Sequence, residues 1–169
     1  LYEVSKKNVW DKAANDAVAL NAFFKANKKD YAWEEPRFDG FVIHANDKKV
    51  LKAAKKVLKK NMSGDWRKAI KEEINKDSVV CLVQGPYLCK KGENKFIDAL
   101  EFKGEEAKPL RKYSMYDVVG KMKKKPSTYL DVKSQVVNDY TRQAEKLWVE
   151  GLRKKYQVII HKDVLETLK

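Results

Sequence analysis

Apolar residues recur every three or four positions at both ends of this chain, and at shorter intervals in its middle. Val9, Trp10, Ala13 and Ala14 make one apolar turn, and Asp16 opens a second run with Ala17, Leu20, Phe23 and Phe24. That spacing predicts helix over most of the first thirty residues, with Asp16 as a cap. Asn27-Lys28-Lys29-Asp30 ends it, and Glu34-Glu35-Pro36 is a boundary because the residue before proline resists helix. Arg37 to Ala45 reads Arg-Phe-Asp-Gly-Phe-Val-Ile-His-Ala. Its contiguous Phe41, Val42 and Ile43 predict a strand buried on both faces. Asp47 then caps a helix whose Val50, Leu51, Ala54, Val57 and Leu58 form one stripe opposite the lysines. Asn61-Met62-Ser63-Gly64 breaks it, and Asp65 caps a shorter helix with Trp66, Ala69, Ile70 and Ile74 inward.

Further on, Ser78 to Val83 predicts a β-branched strand. Gly85-Pro86 predicts a turn, and Tyr87-Leu88-Cys89 an extended continuation. Lys90 to Asn94 forms a loop, and Phe96 to Phe102 returns apolar residues, giving paired β-segments. Ser114 and Asp117 have the spacing of a capping box and predict a brief helix through Val118 and Val119. Thr128 and Asp131 form a second such box before the longest helix. There Val132, Val136, Tyr140, Ala144, Leu147, Trp148 and Leu152 keep one face apolar nearly to Tyr156. At about 1.5 Å per residue this run reaches on the order of 40 Å, so its stripe needs a partner, expected to be the N-terminal helices with Trp10, Phe23 and Phe24. Val158-Ile159-Ile160 predicts a strand and Asp163 to Leu168 a last helical turn. The sum is an α+β fold: a small sheet covered by helices, with a helical module made from both chain ends. The expected divisions are 1–35, 36–125 and 126–169.

Composition narrows the chemistry. The 169 residues are 43% hydrophobic with 7 Gly and 4 Pro, enough for one core and unlike a disordered tract. No apolar run approaches the roughly eighteen residues of a membrane span. The start, Leu1-Tyr2-Glu3-Val4-Ser5, has neither a signal-type apolar region nor a Met, so the chain is expected to be part of a longer one. The net charge is +13, but 32 of the 37 basic residues are Lys, leaving Arg37, Arg67, Arg111, Arg142 and Arg153. Base readout and bidentate phosphate clamps favour Arg, so no specific nucleic-acid partner is expected. A solvated lysine-rich surface, with weak attraction to acidic clients or anionic surfaces, accounts for the charge. Cys81 and Cys89 flank Gln84-Gly85-Pro86. A hairpin there would let them face each other and pair; otherwise each is a small buried apolar residue, and free buried thiols are the expectation. Two cysteines and two scattered histidines, His44 and His161, make no metal site, and no cofactor is expected. No Gly-rich phosphate loop, nucleophile elbow or HExxH occurs.

The last forty residues carry a resemblance. Pro126-Ser-Thr-Tyr-Leu-Asp131, the helical run to Arg153-Lys-Lys-Tyr156 and the apolar Val158-Ile-Ile160 are similar to the closing segment of SurA-like chaperones. These are multidomain prolyl-isomerase foldases of the bacterial cell envelope. Phe23-Phe-Lys-Ala-Asn-Lys-Lys-Asp-Tyr31 resembles the lead-in to their isomerase domain, and Lys90-Lys-Gly-Glu-Asn94 with Phe96-Ile-Asp98 a loop of the same family. The resemblance implies a parvulin-type peptidyl-prolyl isomerase (rotamase) fold in the middle of the chain, and a periplasmic or cell-envelope location. Parvulin isomerases use two neighbouring histidines and a pocket for the prolyl ring. Here Phe41 stands where the first family histidine is found, and His44, three residues on, points to the opposite face. No histidine lies between His44 and His161. The family's Gly-x-Met-x-x-x-Phe is replaced by Gly92, Asn94 and Asp98. The resemblance therefore implies a parvulin-like domain without its isomerase site, with no catalytic residue and no metal. It would bind unfolded or extended polypeptide through Phe41, Ile43, Tyr87 and Phe96. An open sheet edge would let a client add as a strand. Two alternatives remain: an active isomerase with a rearranged site at His44, Cys81 or Cys89, and a lysine-driven binder of nucleic acid or anionic surfaces.

Overall fold

The N-terminal thirty residues fold as the spacing of their apolar positions dictates. The structure, a computed structural model, describes residues 2–156. In chain order these form α1 (Tyr2–Ser5), a π-helical turn (Lys6–Trp10), α2 (Asp11–Asn15), α3 (Ala17–Ala26) and a 3-10 turn (Lys28–Tyr31). They continue with β1 (Arg37–Ala45), α4 (Lys48–Asn61), α5 (Trp66–Glu73), β2 (Cys81–Cys89), α6 (Lys95–Glu101) and β3 (Met115–Lys123). A second 3-10 turn (Tyr129–Val132) and α7 (Lys133–Lys155) complete them. The strand expected at 158–160, the turn at 163–168 and His161 lie outside the described residues. The fold is α+β with a three-stranded antiparallel sheet. Two compact units divide the chain, one spanning Trp33–Lys125 and one built from the two chain ends.

In the Trp33–Lys125 unit, β1 lies between β2 and β3 and pairs antiparallel with both. Alternation splits its side chains between two layers. Phe41, Ile43 and Ala45 enter a core closed by Leu51, Ala54 and Leu58 of α4 with Trp66 and Ile70 of α5. Phe38 and Val42 enter the opposite core with Phe96 and Ile97 of α6. The helix starts follow from their caps. The Asp47 carboxylate accepts the amides of Lys49 and Val50 at 2.7 and 3.0 Å, and Asp65 accepts that of Lys68 at 3.1 Å. Each satisfies donors that the first helical turn leaves open.

Three local expectations are corrected. Gly85-Pro86 is not a hairpin turn: β2 runs unbroken from Cys81 to Cys89. Gln84 pairs with Val42 and Tyr87 with Gly40, so two residues of β2 stand opposite one of β1. This bulge shifts the alternation by one position. Cys81 and Val83 therefore face the α4–α5 core, while Tyr87 and Cys89 face the α6 core. Second, residues 95–101 are helix, because the Asn94 side-chain oxygen caps the amides of Phe96 and Ile97 at 3.0 and 3.4 Å. Third, residues 115–123 are a strand. The Ser114 hydroxyl donates to the Asn46 carbonyl and the Asp117 carboxylate pairs with Lys55, so neither closes a capping box. Val118 and Val119 instead bury themselves on the two faces of the sheet.

In the unit of the chain ends, Asp16 accepts the Ala19 amide at 2.9 Å and starts α3, which buries Leu20 and Phe24. Phe23 packs on Tyr140 of α7 with ring centroids 5.4 Å apart, and the Tyr31 hydroxyl donates to Asp139 at 3.0 Å. The capping box of Thr128 and Asp131 forms, and opens the 3-10 turn before α7. The expected stripe of α7 is buried only in its first part. Val132 and Val136 are buried, while Leu147 is 60% exposed.

Candidate functional site

β3 pairs with β1 along one side; its other side pairs with no strand among the described residues. Such an edge presents backbone donors and acceptors that an extended chain can use. Beside it lies a groove of about 760 Å³, bounded by α4, the start of β3 and Leu100 of α6. Leu51, Leu100, Met115 and Tyr116 give it an apolar lining. Its α4 wall carries Lys48, Lys52, Lys55, Lys56 and Lys59.

The sequence of α4 explains this wall. Its fourteen residues, Lys-Lys-Val-Leu-Lys-Ala-Ala-Lys-Lys-Val-Leu-Lys-Lys-Asn, hold seven lysines and no acid. Burying Leu51, Ala54, Val57 and Leu58 turns the lysines outward, and one row of them overhangs β3. Among these, Lys55 forms an ion pair with Asp117 of β3. The Asp117 carboxylate also accepts the Val118 amide at 2.7 Å. At the other end of β3, Lys123 pairs with Asp39 of β1 at 2.6 Å.

The four residues expected to bind a client do not form one surface. Phe41, 3% exposed, meets Trp66 edge-on at 5.2 Å, and Ile43 is fully enclosed beside it. Tyr87 and Phe96 belong to the core under α6, on the other face of the sheet. Phe96 is buried there, and Tyr87 packs half-buried against the same cluster. β1 is the central strand with both faces covered, the burial that its contiguous Phe41, Val42 and Ile43 predict, and this takes Phe41 and Ile43 out of a client's reach.

The alternative isomerase residues are also dispersed. Cys89 stands opposite Phe38, at the far end of β1 from His44. Cys81 stands opposite Ala45, beside His44 in sequence, but its side chain lies in the α4–α5 core. Both cysteines are free and buried. Burial pushes the Cys81 thiol up to about 11. The Cys89 thiol is raised by burial and then by Glu93 and Asp98. Neither has thiolate character near neutral pH.

His44 is wholly buried. Its Nε2 donates to the Gln84 side-chain oxygen at 3.2 Å, and Nδ1 has no hydrogen-bond partner. Phe96 meets the ring edge-on at 4.6 Å, with Tyr113 and Tyr116 at 6.2 and 6.5 Å. Desolvation lowers its pKa first, and Lys95 adds to the fall against the opposing Gln84 bond. The imidazole is therefore neutral at pH 7, inside an aromatic enclosure.

Among the described residues no cluster of His, Cys, Asp and Glu could hold a metal ion, and no helix is long and apolar enough to cross a membrane. Comparison with protein-family models, curated proteins and solved structures finds no match. The groove was partly visible in sequence as the lysine run of α4. Its other wall was not, because the segment that supplies β3 reads as a helix start.

Proposed function

We propose that the chain is a non-catalytic, parvulin-like binding domain of a cell-envelope foldase, which holds unfolded or extended polypeptide. The observation that carries this reading is the unpaired side of β3 opening beside the groove under α4. An extended client gains main-chain hydrogen bonds from the edge and side-chain contacts from the groove, the two parts of strand-addition binding. The non-catalytic part rests on His44. A side chain with no exposure, enclosed by Phe96, Tyr113 and Tyr116, offers nothing to a prolyl peptide bond. The cell-envelope location rests on the resemblance of the C-terminal segment alone.

Two readouts test this. A proline-containing peptide, alone and with the chain, is followed by two-dimensional exchange NMR. Light scattering then follows the aggregation of a diluted denatured protein with and without it. The expected result is unchanged cis–trans exchange, broadened peptide resonances and suppressed aggregation. Accelerated exchange would overturn the non-catalytic assignment, and absence of both broadening and suppression would overturn the holding function.

A further inference from the structure

The groove has a chemical asymmetry that the holding function alone does not require. We infer that it selects extended segments in which acidic and apolar residues alternate. This rests on the reading of β3 as the docking edge. A strand laid beside β3 turns successive side chains toward opposite faces of the sheet. β3 itself obeys that alternation: Met115 and Val119 face the α4–α5 core, while Tyr116 and Val118 face the α6 core. Every second residue of a client strand would thus face the wall of α4, and the others would lie toward Leu100 and Tyr116.

The two walls differ in kind. On the α4 side, Lys48, Lys52, Lys55 and Lys59 occupy successive turns of one helix face. At about 1.5 Å per residue they recur every 4.5–6 Å along the helix axis. Alternate residues of a strand recur at about 6.6–6.8 Å. Lysine side chains are long and flexible enough to absorb that difference, so carboxylates at positions i, i+2 and i+4 can each reach a lysine. On the α6 side, Leu100 is 45% exposed and offers an apolar surface to the intervening residues. A client with lysines at those positions would face the row with like charges, which repel across neighbouring strands and walls.

The protein already places one of its own acids against this row. Asp117 projects from β3, pairs with Lys55 and accepts the Val118 amide. It occupies part of the positive wall, as a client carboxylate would. Replacing it with Asn removes a negative charge from the groove and frees Lys55, so an acidic client should bind more tightly to Asp117→Asn.

Fluorescence anisotropy with the full chain tests the inference. Four labelled nine-residue peptides are compared at about 50 mM salt: Glu alternating with Val, Gln with Val, Lys with Val, and the Glu and Val residues in two blocks. The alternating Glu peptide should bind on the order of tenfold more tightly than the Gln peptide, the sum of a few exposed ion pairs. The Lys peptide should bind most weakly. Asp117→Asn should tighten the Glu peptide severalfold. Lys52→Glu with Lys59→Glu, both on the exposed face of α4, should abolish the preference while circular dichroism stays unchanged. Equal binding of the Glu, Gln and Lys peptides would overturn the selectivity and leave the holding function standing. Binding of the block peptide as tight as the alternating one would overturn the strand register and point to diffuse attraction, as for a nucleic acid. Binding of none would overturn both readings.

Discussion

Protonating His44 would place a charge among Phe96, Tyr113 and Tyr116 with no exposure and with Lys95 nearby. Its pKa in the folded chain is therefore below that of an unfolded histidine, about 6.5. The unfolded state takes up the proton first as pH falls. The contribution of His44 to stability is complete above about pH 6.5 and is lost as pH drops below it. Urea midpoints between about pH 7.5 and 5.5 should fall, with a slope of at most about 1.4 kcal/mol per pH unit. His44→Gln, which cannot gain a proton, should flatten that slope even if its stability at neutral pH is lower. Equal slopes in the two proteins would exclude His44 as the responsible group. The same burial explains why a histidine at the end of a strand, which in a sequence invites a catalytic role, is here part of a core.

Between strands, the pairing of β1 with β3 depends on two glycines that stand opposite each other, Gly40 and Gly120. A Cβ at Gly40 would press on the Val119 carbonyl and Gly120 Cα, and one at Gly120 on the Asp39 carbonyl and the Phe38 ring. The Phe38 ring reaches both glycines, an aromatic cover for a gap that no side chain fills. Gly120→Ala should therefore cost about 2–3 kcal/mol, as overpacking of a tight site does, measured by denaturant unfolding. A cost near zero would mean that the strands separate there without penalty. Elements whose signals are local were legible in the sequence: Asp16, Asp47 and Asp65 cap the helices expected of them, and β1 spans the expected residues. Elements whose signals are tertiary were not. Ser114 and Asp117 have capping-box spacing, yet their partners, Asn46 and Lys55, lie more than sixty positions away in sequence. Gly85-Pro86 has turn chemistry, yet the pairing with β1 carries the chain straight through it. The candidate groove inherits that division: its α4 wall was legible as a lysine-rich face, and its β3 wall was not.

At the scale of the whole molecule, the sheet of the Trp33–Lys125 unit carries two separate cores, one against α4 and α5 and one against α6. The α6 core is covered by a seven-residue helix and by the segment containing Ala107 and Leu110. The other is covered by two helices of fourteen and eight residues. The smaller cover should open more readily, since fewer buried apolar contacts oppose it. Residues eight apart in a strand ordinarily share a face, but the extra residue in β2 sends Cys81 to one core and Cys89 to the other. Pulsed alkylation in native buffer, read by peptide mass, should label Cys89 before Cys81, even though Glu93 and Asp98 disfavour its thiolate. Identical rates would mean that the two layers come apart as a single cooperative body. A one-residue irregularity has thus fitted the protein with a chemical clock for each side of its sheet, and the interval between the two readings measures how independently those sides breathe.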